Sequence, residues 1–367
     1  MHTTDLASLL TRPGPFATVF VDVSQDSESG RQEHDLRVRS ACDQLGEGGA
    51  DPAVIEAIRS RLDETVDRPA PAARLLVATG DGIAYDETVT ARVDRTVATW
   101  GSLPDLAAWV AHRDAAVSFV LALVDHEGGD VTVHDSDVPE PQAEVEAGGE
   151  VQFVHKVPTG GWSALRYQHS TEEVWRRNAD AVVAEIEKLV QQGHGLVLLA
   201  GDPASVGLVR GALAQGPGSQ ATLVELPTGT RAEDGGDDAL QDAIRSALLD
   251  QVVQRRTALV HRLREALGRG SGAVTGVRDV ADAFVKGQVD TLLVDPGALA
   301  EHRLDPADHP GLQFGAAEVT GEVRADQALV AAAVLTDADV VPLPSAALGG
   351  APVSALLRWI ESGEAAG

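Results

Sequence analysis

Two apolar runs in VSFVLALVDHEGGDVTVHDSD (117–137) flank the turn HEGGD, and this pair constrains the fold more than any compositional total. Gly-Gly-Asp is turn chemistry, and Val131 and Val133 alternate with polar neighbours, so the segment reads as a β-hairpin. GEVQFVHKVP (149–158) adds a third strand. From Ser163 to about Gln192, Trp175, Val182, Val183, Ile186, Leu189 and Val190 recur at helical spacing. GLVLLAGD (195–202) is then a buried strand, and PASVGLVRGALAQG (203–216) is a helix with Asp202 as N-cap and Pro203 at N1. ATLVELPTG (221–229) is another strand. Three antiparallel strands followed by α-β-α-β predict a small domain built on a mixed sheet.

The flanks read as two further α/β units. FATVFVDVS (16–24) alternates like a strand, and GRQEHDLRVRSACDQLG (30–46) carries Leu36, Ala41 and Leu45 at helical spacing. DPAVIEAIRSRLDETV (51–66) opens with an Asp-Pro cap, and ARLLVATGDGIAYDETV (73–89) reads strand, Gly-Asp-Gly turn, strand. TVATWGSLPDLAAWV (96–110) completes the first unit. Beyond the middle, TRAEDGGDDAL (230–240) is acidic and glycine-rich and reads as a linker. A long amphipathic helix follows over 239–270, then alternating helix and strand over 277–345, and the helical pattern PVSALLRWI (352–360). The expected architecture is α/β (mixed α+β) in three consecutive domains, 1–113, 114–229 and 230–367, the third an α/β sandwich behind its linker.

A chain of 367 residues is long for one core, and its low aromatic content requires cores of Val, Leu and Ala. No run approaches the roughly 18 apolar residues that span a bilayer. The start, MHTTDLASLL, lacks the pattern of a signal peptide, and the lone thiol Cys42 reads as buried filler. The expectation is a cytoplasmic protein without a membrane partner. A formal charge of −27 repels phosphate at long range, which argues against nucleic-acid binding over the whole surface and leaves a local basic patch as the route to RNA.

His126, Glu127, Asp130, His134 and Asp135 gather like metal ligands, but the hairpin explains their placement. LLAGDPAS sits between strand and helix as a phosphate loop does, yet lacks the Gly spacing and Gly-Lys-Ser/Thr of one. No Cys-x-x-Cys pair, His-Glu-x-x-His helix or Gly-x-Ser-x-Gly elbow occurs, and no cofactor, metal or catalytic residue is assigned. The arginines at 255, 256, 262, 264 and 269 read as a solvated helix face.

HKVPTGGWSALRYQHSTEEVWRR (155–177) is different. Lys156, Arg166, Arg176 and Arg177 stand against Glu172 and Glu173, a local +2 in an acidic chain. On a helix, Arg166, Ser170, Glu173 and Arg177 share one side, leaving Trp175, Val182 and Ile186 to face a core. The bland interpretation is a turn and a solvated helix face. The sharper one is a loop whose tip enters a nucleic-acid site while arginines hold the backbone.

GGWSALRYQHSTEEVWRRNADAVVAEIEKL (160–189) resembles the central domain of the archaeal and eukaryotic class 1 release factors and their relative Pelota. That family carries Gly-Gly-Gln, then Ser-Ala-x-Arg-Phe, then a long helix. Gly160, Gly161, Ser163, Ala164 and Arg166 match, and Tyr167 stands for the aromatic. The hairpin before them is similar to the start of that domain, and TGVRDVADAFVKGQVDTLLVDPGAL (275–299) resembles the family's third domain. The resemblance runs from about 115 to 345 and fits the bacterial branch of the superfamily, which includes hibernation factors of the Balon type.

Two departures change what the resemblance implies. Trp162 replaces the family glutamine, and the first domain has no Asn-Ile-Lys-Ser motif for stop-codon reading. The glutamine loop positions the water that attacks peptidyl-tRNA; indole has one N–H donor and bulk that excludes that water. The implied function is a non-hydrolytic A-site occupant in ribosome hibernation or rescue. The implied RNA-binding set is Lys156, Gly160, Gly161, Trp162, Ser163, Arg166, Arg176 and Arg177. By the same resemblance the first domain faces the decoding centre, and the third meets the stalk base or a translational GTPase such as elongation factor Tu. Two other readings stay open: a peptidyl-tRNA hydrolase with an altered loop, using His155 or the backbone to direct water, and a protein-interaction module with no ribosome role.

Overall fold

A computed structural model describes residues 4–25, 30–66, 68, 70–93, 95–138, 141–148, 162–227 and 237–359, with the side chains of 4, 5, 162–172 and 237 left aside. It is mixed α/β and multi-domain, with several separate sheets. The chain forms two compact units, one from residues 116–253 and one from the segments on either side.

The N-terminal segment begins with α1 (Thr4–Leu9), β1 (Phe16–Asp22), α2 (Gly30–Glu47) and α3 (Pro52–Leu62). β2 (Ala73–Thr79), β3 (Gly82–Val89), β4 (Val97–Gly101) and α4 (Ala107–Ala115) complete it. The strands make an antiparallel sheet in the order β3-β2-β1-β4. One face, with Val19, Val21, Leu76 and Ala78, packs on Val38, Leu45, Val54 and Ile58 of α2 and α3. The expected Asp51 cap forms, its carboxylate accepting from Ala53 N at 2.9 Å with Pro52 next in the helix. Cys42 is a free thiol buried in this layer, where burial raises its pKa.

The second unit contains β5 (Ser118–Val124), β6 (Gly128–Asp135), β7 (Ala143–Gly148), α5 (Trp162–Gln191), β8 (Leu196–Gly201), α6 (Pro203–Leu213), β9 (Thr222–Glu225) and the first half of α7 (Asp237–Arg269). Its five-stranded sheet has the order β7-β6-β5-β8-β9. β5, β6 and β7 pair antiparallel, while β8 and β9 join in parallel. The mixed sheet is the one the hairpin and helical spacings anticipate. The third strand of the sheet is Ala143–Gly148; the strand expected over 149–158 lies outside the described residues, together with most of the expected linker. Leu240, Ile244 and Ala247 of α7 cover one face of this sheet through Phe119, Leu121 and Leu198.

The C-terminal segment follows α7 with β10 (Ala273–Thr275), α8 (Val277–Val285), β11 (Val289–Val294), α9 (Pro296–Ala300), β12 (Arg303–Leu304), β13 (Val323–Arg324), α10 (Ala325–Leu335), β14 (Asp339–Pro342) and β15 (Val353–Leu357). Its main sheet runs β10-β15-β11-β14, with β15 antiparallel to both neighbours. Here one expectation fails: PVSALLRWI supplies a central strand, not a helix. Val353, Leu356 and Leu357 fit helical spacing, but Val353, Ser354, Ala355 and Leu356 are buried in succession, as in a strand covered on both faces. The buried Ser354 hydroxyl is satisfied by Thr275 Oγ1 at 3.0 Å.

The N- and C-terminal segments share one core, in which Phe16, Phe20, Leu75 and Val77 meet Val280, Leu329 and Val340. Trp109 of α4 lies inside it, edge-on to Phe20 with ring centroids 5.6 Å apart. Arg324 ties the segments together by donating to the buried carboxylate of Asp105 at 2.8 Å and to that of Asp326. Burial raises the Asp105 pKa, with Asp326 adding to the effect and Arg324 opposing it. A second anchor corrects the expectation of a wholly solvated arginine face on α7. Arg255 and Arg256 reach the buried carboxylate of Asp114 at 2.7 and 2.8 Å, whereas Arg262, Arg264 and Arg269 are exposed.

Candidate nucleic-acid interface

α5 positions the candidate site. It is 30 residues long and begins at Trp162. Val174, Ala179, Val182, Val183, Ile186 and Leu189 form its buried stripe, and from Ala179 onward it packs against Val120, Ala122, Val131 and Val133 of the hairpin. The helix passes so close to the turn that a Cβ on Gly129 would stand 3.0 Å from Val182 Cγ2 and 2.9 Å from Val124 Cγ1. Asn178, also buried, donates from Nδ2 to the carbonyl oxygen of His126 at 3.1 Å. The His126 ring tilts against half-buried Trp175 at 5.8 Å. The hairpin's polar residues therefore seat the helix.

His134 belongs to the same scaffold. It stacks on Phe119 with centroids 5.1 Å apart, and its Nε2 lies 2.8 Å from Thr132 Oγ1. Burial lowers its pKa, which favours the neutral ring.

Arg176 and Arg177 are exposed beside Glu173 and Asp180, opposite the buried stripe. Trp162 starts the helix four turns earlier, roughly 22 Å away at 1.5 Å per residue. The two arginines are thus adjacent to each other and remote from the helix start. Ser163 and Arg166 lie in the first turns by backbone, and Lys156, Gly160 and Gly161 fall outside the described residues. Pro158 and Thr159 do as well. α5 thus opens directly after the Gly160–Gly161 pair of the sequence and packs through its later turns on the hairpin.

Residues 118–269 match the model of the bacterial archaeo-eukaryotic release factor family 2, a span that contains the hairpin, α5, the parallel strands and α7. The match spans less than half of the chain, so the likeness to that family is a likeness of this middle segment. An uncharacterized protein of Mycobacterium tuberculosis, Rv2629, is 26% identical over 372 residues, covering 98% of this chain and 97% of its own. Among solved structures, the archaeal translation termination factor aRF1 is 14% identical, with 97% of each chain covered and a TM-score of 0.24. Archaeoglobus fulgidus Pelota is 14% identical over 78% of this chain and 79% of its own, with a TM-score of 0.34. Archaeal Pelota in a ribosome-bound model with ABCE1 is 15% identical over 98% and 93%, with a TM-score of 0.38.

The cap expected at Asp202 forms. As N-cap of α6 it accepts from Ser205 N at 3.0 Å, and its own N–H donates to the Val124 carbonyl at 2.9 Å. The strand-to-helix junction that imitates a phosphate loop is thereby occupied by its own backbone.

Proposed function

We propose that this chain is a ribosome-binding translation factor that occupies the A site without hydrolysing peptidyl-tRNA, in hibernation or rescue. One observation carries the reading. Within a segment that matches a release-factor family, the long helix α5 begins at a tryptophan where the family has its catalytic glutamine. The Gly160–Gly161 pair allows the backbone to approach RNA closely. Trp162 then stacks on an unpaired base of the peptidyl-transferase centre, and Lys156, Arg166, Arg176 and Arg177 hold rRNA phosphates. The C-terminal segment would meet the stalk base or a translational GTPase such as elongation factor Tu.

The test is co-sedimentation with vacant ribosomes across a salt series, wild type beside Trp162→Ala, with and without elongation factor Tu, and a parallel peptidyl-tRNA release assay. Salt-sensitive binding that weakens with the substitution, without release, is the expected result. Release that changes with Trp162 would replace this reading with the hydrolase one. Absence of ribosome binding at every salt would leave a fold used for protein contacts.

A further inference from the structure

The last turns of α7 and the end of β15 enclose a pocket of about 310 Å³ lined by Arg262, Ala266, Arg269, Gly272, Leu356, Leu357, Arg358 and Trp359. Its volume lies at the small end of the range for ligand pockets, roughly 300–1,000 Å³. Three arginines and no acidic residue line it, in a chain whose formal charge is −27.

The arrangement follows from two short pieces of sequence. Arg262, Ala266 and Arg269 are spaced by four and three along α7, so they share one stripe, and buried Ala266 keeps the wall between the arginines low. Leu356 is buried beneath, and Leu357 N donates to the Gly272 carbonyl at 3.0 Å, joining the floor to the loop. Arg358 is fixed by donating to the carbonyl oxygens of Thr336 at 2.8 Å and Asp337 at 2.7 Å, beyond α10. Trp359 is 47% exposed, the sole exposed aromatic among the described residues.

Closing the C-terminal ends of α7 and α10 accounts for Arg269 and Arg358, since cations favour those ends. It does not account for Arg262 and a half-exposed indole meeting them at one concavity. The acids that face these arginines are Asp290, 3.3 Å from Arg262, and Glu265, 4.0 Å from Arg269. All four side chains are more than a third exposed, and such pairs contribute little to stability, so an incoming phosphate displaces them at small cost. Guanidinium forks match phosphate oxygens, and indole offers a face to any base.

We propose that this pocket binds a 5′-phosphorylated nucleotide unit, free or within single-stranded RNA, with the base on Trp359 and the phosphate on Arg262 and Arg269. An acidic peptide would use the arginines and leave a flat aromatic platform without a matching ring, which is why a nucleotide is the better fit. The site lies in the unit built from the terminal segments and needs neither the Gly-Gly-Trp loop nor a ribosome.

The experiment uses the full chain without ribosomes. Fluorescein-labelled decaadenylate is followed by anisotropy, while 5′-AMP, adenosine and a polyglutamate peptide are followed by calorimetry. The labelled RNA, 5′-AMP or both should bind saturably, with adenosine and polyglutamate at least tenfold weaker. Trp359→Ala should weaken binding by roughly tenfold, in the range of one lost base stack, and Trp359→Phe should retain most of it. Arg262→Ala with Arg269→Ala should remove most of the salt dependence. Comparable affinity for 5′-AMP and RNA identifies a free nucleotide as the ligand, and a strong preference for RNA identifies a strand. The proposal is overturned if neither probe binds, if polyglutamate binds as well as 5′-AMP, or if binding responds to Trp162→Ala and ignores the Trp359 and arginine variants.

Discussion

In the proposed function, the side chain at position 162 sets which chemistry can follow the Gly160–Gly161 pair. A glutamine amide both donates and accepts a hydrogen bond and leaves room for water, whereas indole only donates and fills that room. Trp162→Ala should therefore cost roughly tenfold in ribosome affinity, in the range of one lost base stack. Trp162→Gln should lose a similar amount, and sedimentation titration at fixed salt measures both. A second prediction concerns Asp86, whose carboxylate accepts from Arg74 Nε at 2.7 Å and from Arg61. Burial alone would raise its pKa, but Arg74 and Arg61 outweigh burial and hold it below the ordinary carboxylate value. The unfolded chain then binds more protons as pH falls. Asp86 stabilises the fold above the unfolded carboxyl pKa of about 3.9, and that contribution is lost as pH drops through the lower folded value. Acid titration of stability, wild type beside Asp86→Asn, should show the variant with the shallower loss. At neutral pH the variant should already be weaker by about 3 kcal/mol, because Arg74 is buried and left with a neutral partner.

Among the elements, the junction of β8 with α6 tolerates the least change. Gly201 has φ 129, and a Cβ there would stand 1.9 Å from the Val124 carbonyl oxygen. Gly201→Ala must move β5 or β8, so thermal unfolding should show a loss of at least about 1–3 kcal/mol, the scale of a strained backbone before the collision is added. The burial that turns β15 into a strand acts on the same scale. Its apolar residues satisfy both periods, and the neighbours β10 and β11 decide between them by offering a ladder on each side. α5 needs no such arbitration, since thirty residues with a single apolar stripe can bury it only as a helix.

For the whole molecule the governing quantity is charge. A chain of −27 approaches RNA only through local cations. If Lys156, Arg166, Arg176 and Arg177 each neutralise one phosphate, log affinity against log salt should have a slope of roughly −3, at about 0.7 per contact. Ribosome affinity measured from 0.05 to 0.2 M salt should then fall by roughly 50-fold, whereas a slope near zero would remove RNA as the partner.

Hydrophobic spacing and capping residues by themselves determined the hairpin, the long helix after Gly-Gly-Trp, the Asp51 and Asp202 caps and the mixed central sheet, because each is a local matter of period and turn chemistry. Motif order located the release-factor segment, and Trp162 was readable as a departure from it. Tertiary structure alone decided that residues from both ends of the chain share a core, that β15 is a strand, and that Arg255 and Arg256 clamp Asp114 while Arg262 and Arg269 meet Trp359 at a pocket. These are pairings between residues far apart in the chain, as Arg324 with Asp105, 219 positions away, illustrates. Local period carries no record of distant partners: an arginine on a helix face reads alike whether it meets water, a buried carboxylate or a ligand, and only packing distinguishes them.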